Sequence, residues 1–222
     1  MAFDVFLQHL TNGISLGSLY ALVAIGYTMV YGILRLINFA HGDIFMMATY
    51  FTFYSIVIFG VPWYAAFLAV IIVTGALGII LESSAYRPLR DAPRISIMIS
   101  AIGASFLLEN LAIVIFGGRP KAFPALDFFT EVIKLGTVSI QRLTFIIPVM
   151  TLVLLYVLLY LINNTKSGMA MRAVSKDFET SRLMGIDVNR TISVTFFLGS
   201  MLAAVGGIMW GMKFPQIQPL MG

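Results

Sequence analysis

Six apolar runs, each of about 20 residues, decide what this chain can become, because a helix of that length crosses a hydrocarbon core of about 30 Å with its backbone hydrogen bonds satisfied internally. They lie near Leu10–Tyr31, Phe39–Phe59, Trp63–Leu81, Ile95–Phe116, Phe145–Ile162 and Ile192–Met212. The runs are continuous and do not alternate with period two, which excludes barrel strands. With 59% hydrophobic and 11% charged residues, the chain has more apolar surface than a soluble core can use. The expected fold is all-α, a polytopic transmembrane helical bundle of about six spans forming one domain over residues 1–222. Only Gly60, Val61 and Pro62 separate the second and third runs, which predicts a tight hairpin. No Lys or Arg precedes Arg35, so the first run lacks the basic start of a signal peptide and reads as a retained helix.

The basic residues of the loops orient these spans. One set of loops holds Arg35, Arg87, Arg90, Arg94, Lys166, Arg172, Lys176, Arg182 and Arg190; the other holds Arg119, Lys121, Lys134, Arg142 and Lys213. The richer set is expected in the cytoplasm and the N-terminus outside. The net charge of +4 is spread over these loops and forms no basic patch interleaved with aromatics, so no nucleic-acid partner is expected. The absence of Cys and the presence of only His9 and His41 leave little material for a metal site. No phosphate-binding Gly-rich loop occurs, so ATP chemistry, a cofactor and a catalytic residue are not expected in this chain.

One long polar stretch interrupts the pattern, residues 163–191. It reads as an amphipathic helix from Gly168 to Met184, with Ser167 as N-cap, Gly185 in the left-handed conformation at its end and Asp187 capping the next helix. Met171, Val174 and Phe178 share one face, while Arg172, Lys176, Glu179 and Arg182 take others. Such a helix either floats at the headgroups or docks on a soluble partner.

Polar residues also enter the apolar region. Asn38, His41, Gly42 and Asp43 occupy the start of the second span, where an ionisable group costs about 2.5 to 3.5 kcal/mol at the membrane centre. Either the helix is broken there and its end lines a pathway or gate, or Asn38 caps it at the interface with Asp43 near its positive end. Glu109 in the fourth span faces the same choice between a water-filled path and the outer interface. Small-residue ladders mark helix packing faces: Gly13, Gly17 and Ala21 in the first span, and Gly199, Ala203, Gly207 and Gly211 in the sixth. A proton relay through His41, Asp43 and Glu109 would make the chain an ion-coupled secondary transporter. An intramembrane enzyme is disfavoured by the absence of nucleophile and metal motifs.

The wording of two stretches resembles one family. Gly168, Ala170, Arg172, Ala173, Asp177, Gly185 and Ile186 resemble the cytoplasmic loop of permeases of branched-chain amino acid ABC importers. The string from Leu36 to Gly42, with upstream Gly17, Tyr20, Ala21, Leu22, Gly26, Tyr31 and Gly32, is similar to the start of the LivH-type subunit. Tyr86, Arg87, Pro88 and Leu89 match further. The resemblance spreads over most of residues 10–212. It implies that Gly168, Arg172, Ala173, Asp177, Glu179, Gly185 and Ile186 belong to a coupling helix seated on an ATPase subunit. It also implies a second permease subunit, LivM-type or a second copy, a periplasmic substrate-binding protein, and the bacterial inner membrane. Family members ordinarily continue with further spans, so the chain is expected to be C-terminally incomplete.

Overall fold

The computed structural model describes residues 2–135 and 138–222. The order is α1 (Ala2–Leu34), α2 (His41–Phe53), α3 (Trp63–Leu81), α4 (Arg94–Phe116), β1 (Lys121–Ala122), α5 (Asp127–Thr130), β2 (Val132–Leu135), β3 (Val138–Gln141), α6 (Arg142–Asn164), α7 (Lys166–Lys176), α8 (Phe178–Leu183), α9 (Val188–Lys213) and β4 (Gln216–Ile217). Among the described residues, five segments are long and apolar enough to cross a membrane: Asp4–Leu34, Trp63–Leu89, Arg94–Phe116, Arg142–Asn164 and Val188–Lys213. The chain is an all-α multi-pass membrane protein.

The expected second span departs from the other five. It is a 13-residue α-helix followed by a π-helical turn, Tyr54–Ile58, and it does not start at the bundle surface. His41, its first residue, lies against Gly26 of α1, two turns inside the end of that helix. At 1.5 Å per residue, the chain therefore climbs back about 12 Å into the bundle between Leu34 and His41.

α9 is the central helix, flanked by α1, α2 and α3, and 72% of its most apolar window is buried. Its small residues allow this, since lipid provides no hydrophobic drive and helices must approach closely to gain contact. At Gly199 a Cβ would stand 3.1 Å from the carbonyl oxygen of Gly26, and at Gly207 it would stand 2.5 Å from that of Phe45. Thr49 adds a hydrogen bond from its hydroxyl to the Gly207 carbonyl at 3.1 Å. Ala203 is fully buried, and Gly211 packs on Phe123. The α1 ladder behaves differently, because Gly13 and Gly17 have no neighbour within 4 Å and are exposed. That face has no partner among the described residues.

The two ends of the bundle differ. At one, the end of α1, the α3–α4 connection, α7, α8 and the start of α9 meet, gathering the richer set of basic residues. At the other, β1 pairs antiparallel with β4, and β2 with β3. Between β1 and β2, α5 is a single turn of helix that leads into the hairpin strand β2.

Candidate functional site

The junction of α1 and α2 assembles a buried polar cluster. Asn38, His41 and Asp43 are each at most 2% exposed. Asn38 does not cap α2; the N-cap position is Ala40 with no side-chain bond, and Asn38 Oδ1 instead accepts from the Tyr86 hydroxyl at 2.8 Å. The interfacial-cap alternative thus fails for Asn38, because its side chain points across the bundle to the end of α3. Asp43 Oδ2 accepts from Ser105 of α4, while its Oδ1 has no hydrogen-bond partner. Neither His41 nitrogen makes a well-formed hydrogen bond, and the ring packs edge-on against Tyr27 at 5.8 Å. Unpaired polar atoms at such depth are expensive unless water or a solute reaches them. A cavity of about 480 Å³ borders Asn38 and His41, lined among others by Tyr20, Tyr27 and Gly42. Glu109 is half-buried on α4, near enough to Asp43 to act on its charge, but outside that cavity's lining.

The polar stretch folds as two helices, correcting the single helix expected from Gly168 to Met184. Thr165, not Ser167, caps α7 by accepting from the Gly168 amide at 3.1 Å. The chain then extends at Asp177, with φ −158°, and Asp177 caps α8 through the amides of Glu179 and Thr180. The Thr180 hydroxyl donates to it as well, and these bonds hold its carboxyl below the usual carboxylate range. Asp177 is therefore occupied within the loop, as is Arg172, which donates to the Ile162 carbonyl at the end of α6. Gly168 sits where any Cβ would overlap the Ile162 carbonyl, so α7 is pressed onto that same helix end. Gly185 has φ +80°, Ile186 is partly buried against the core, and Asp187 caps α9 through the Arg190 amide. Ala173 is half-buried and Glu179 exposed.

Facing solvent are Met169, Leu183 and Met184, the last two 87% and 78% exposed. Sequence reasoning missed them, although two large apolar residues before a glycine in a polar loop were a visible signal. It also missed Glu82. This carboxylate is 0% exposed, accepts from Arg87 and Arg90 at 2.7 Å each and from Ser193 at 2.9 Å, and so ties the end of α3 to α9. Arg90 reaches on to Asn189.

Residues 9–222 match the family model for the branched-chain amino acid transport system / permease component. The chain belongs to that family. It is 40% identical to the high-affinity branched-chain amino acid transport system permease protein BraD of Pseudomonas aeruginosa, over 98% of this chain and 74% of that protein. It is 37% identical to LivH permease proteins of Salmonella typhimurium and Escherichia coli, over 99% of this chain and 75% of each relative. No solved structure matches the chain.

Proposed function

We propose that this chain is a membrane-spanning subunit of an ABC importer that moves branched-chain amino acids or closely related small amino acids inward. The observation that carries this reading is the α7–α8 unit. It is braced against α6 by Gly168 and Arg172, joined to α9 through Gly185 and Asp187, and presents Met169, Leu183 and Met184 to solvent. An adjacent pair of strongly exposed apolar side chains, Leu183 and Met184, on a braced unit fits a protein partner rather than free water. A cytoplasmic ATP-binding subunit would dock there, its movements passing into α6 and α9. The Arg-rich end would face the cytoplasm, and the N-terminus the outside. A binding protein would deliver substrate to the other end. A second permease subunit would cover α1 at Gly13 and Gly17, closing the cavity lined by Asn38, His41 and Gly42 into a polar path, with Asp43 and Glu109 beyond it.

The test is uptake by the reconstituted complex of permease, ATP-binding and binding-protein subunits. Labelled leucine, isoleucine or valine should enter proteoliposomes only with ATP present. Uptake driven by a proton gradient without ATP would instead make the chain a secondary transporter working through His41, Asp43 and Glu109.

A further inference from the structure

A second recess lies at the Arg-rich end, between the end of α1, the start of α4 and the α7–α8 break. It measures about 320 Å³. Its floor is apolar and buried, built from Ile33, Leu34, Ile97 and Val174, and its rim carries Arg35, Arg90, Arg94 and Lys176. Arg90 is occupied by Glu82. The lining carboxylate, Asp177, is engaged by the amides and hydroxyl that it caps. Arg35, Arg94 and Lys176 form no ion pair among the described residues.

Two of these cations are placed at a cost to the protein itself. Arg35 has φ +53°, the position after a helix where glycine is the least strained residue. Its guanidinium donates to the Ser175 carbonyl at 3.1 Å, which holds it at the rim. Arg94 is the first residue of α4, where the helix's own partial positive charge disfavours a cation. An anion in the recess would offset the helix charge at Arg94 and give the guanidinium of Arg35 a counter-charge, while the backbone strain at Arg35 would remain.

We propose that this recess binds the phosphate headgroup of an anionic phospholipid. The surroundings favour a lipid over an acidic protein side chain. The floor is apolar, and the recess lies where the membrane-spanning segments Asp4–Leu34 and Arg94–Phe116 end and begin, the level of lipid headgroups. Basic side chains at that level attract anionic headgroups.

The complete transporter complex in nanodiscs of phosphatidylcholine with a small fraction of phosphatidylglycerol allows a direct test. Bound phosphatidylglycerol is counted by native mass spectrometry for the parent, Arg35→Gly, Arg94→Gln and the double variant. Arg35→Gly keeps the positive φ without strain, so its effect reports charge and not misfolding. Each single variant should weaken retention about fivefold and the double about 25-fold, at the usual worth of one basic residue near a membrane surface. Arg119→Gln, at the opposite end, should change nothing. Unchanged retention in the double variant, or an equal loss in Arg119→Gln, would overturn the proposal. So would loss of the ATP-binding subunit with lipid retention intact, which would make the recess a protein-docking surface. Saturation by inorganic phosphate in phosphatidylcholine-only discs would equally overturn it, by making the ligand a soluble anion.

Discussion

Glu82 is a fully buried carboxylate whose charge is balanced by two guanidinium groups, and the asymmetry between those two partners makes a prediction. Arg90 has its side chain 8% exposed, whereas that of Arg87 is 41% exposed. Glu82→Gln leaves Arg90 buried without its counter-charge, which should cost roughly 3 to 5 kcal/mol. Arg87→Ala removes a solvent-screened pair worth about 1 kcal/mol or less. Thermal unfolding of the detergent-solubilised protein should therefore fall sharply for the first variant and little for the second. A second contrast concerns two glycines of similar appearance. Gly207→Leu drives a side chain into the Phe45 carbonyl and the Thr49 hydroxyl, and should cost about 3 kcal/mol or more and reduce the folded fraction. Gly13→Leu, with open space around it, should leave the isolated chain as stable as the parent in the same unfolding assay. Both glycines belonged to ladders of the same spacing, and nothing in spacing alone says which ladder faces inward. Glu82 was illegible for a related reason: beside Arg87 and Arg90 it reads as loop charge, and its partner Ser193 lies 111 residues away.

At the scale of elements, five of the six expected spans were readable because each is a long apolar run, and their helices end at or beyond the ends of the runs; the second, which holds His41 and Asp43, forms only the shorter α2 inside its run. The α7–α8 break was not readable. Asp177 sits inside an otherwise helical pattern, and its preference for a cap position competes with that pattern; the extended backbone at Asp177 shows which tendency wins. Asp177→Arg would therefore remove the α8 cap before it touched any partner. Its folded carboxyl titrates below the unfolded one, so the cap is fully present at neutral pH and is lost only as pH falls through the depressed value. Uptake between pH 6 and 8, on the order of physiological values, should accordingly show no Asp177 titration. Gly168→Ala is the cleaner test of the brace between α7 and α6. A methyl group there overlaps the Ile162 carbonyl and lifts α7 away. Membrane levels should match the parent while uptake by the complete complex falls at least about tenfold, since no span is altered. The buried start of α2 was legible in part. His41, Gly42 and Asp43 marked a broken helix as one alternative, but the bond from Tyr86 to Asn38 required knowing that α3 ends opposite the α1–α2 junction.

For the molecule as a whole, α9 gathers α1, α2 and α3, while only 11% of the most apolar window of α6 and 17% of that of α4 are buried. A helix this exposed can face lipid, but α6 also carries α7 on its end. Movement imposed on α7–α8 therefore has two routes into the membrane, through α6 directly and through Asp187 into the central α9. Under the proposed function, this continuity would let a docked motor subunit act on both helices, and the solvent-facing Leu183 and Met184 are where it would grip. The most direct measurement is retention of the ATP-binding subunit when the permease carrying Leu183→Glu and Met184→Glu is purified. Both side chains point into solvent, so folding and membrane levels should be normal. The account predicts that the retained ATP-binding subunit falls at least about tenfold, as expected for losing two apolar anchors from an interface. Retention at the parent level would contradict it and leave α7–α8 as a helix pair lying at the membrane surface.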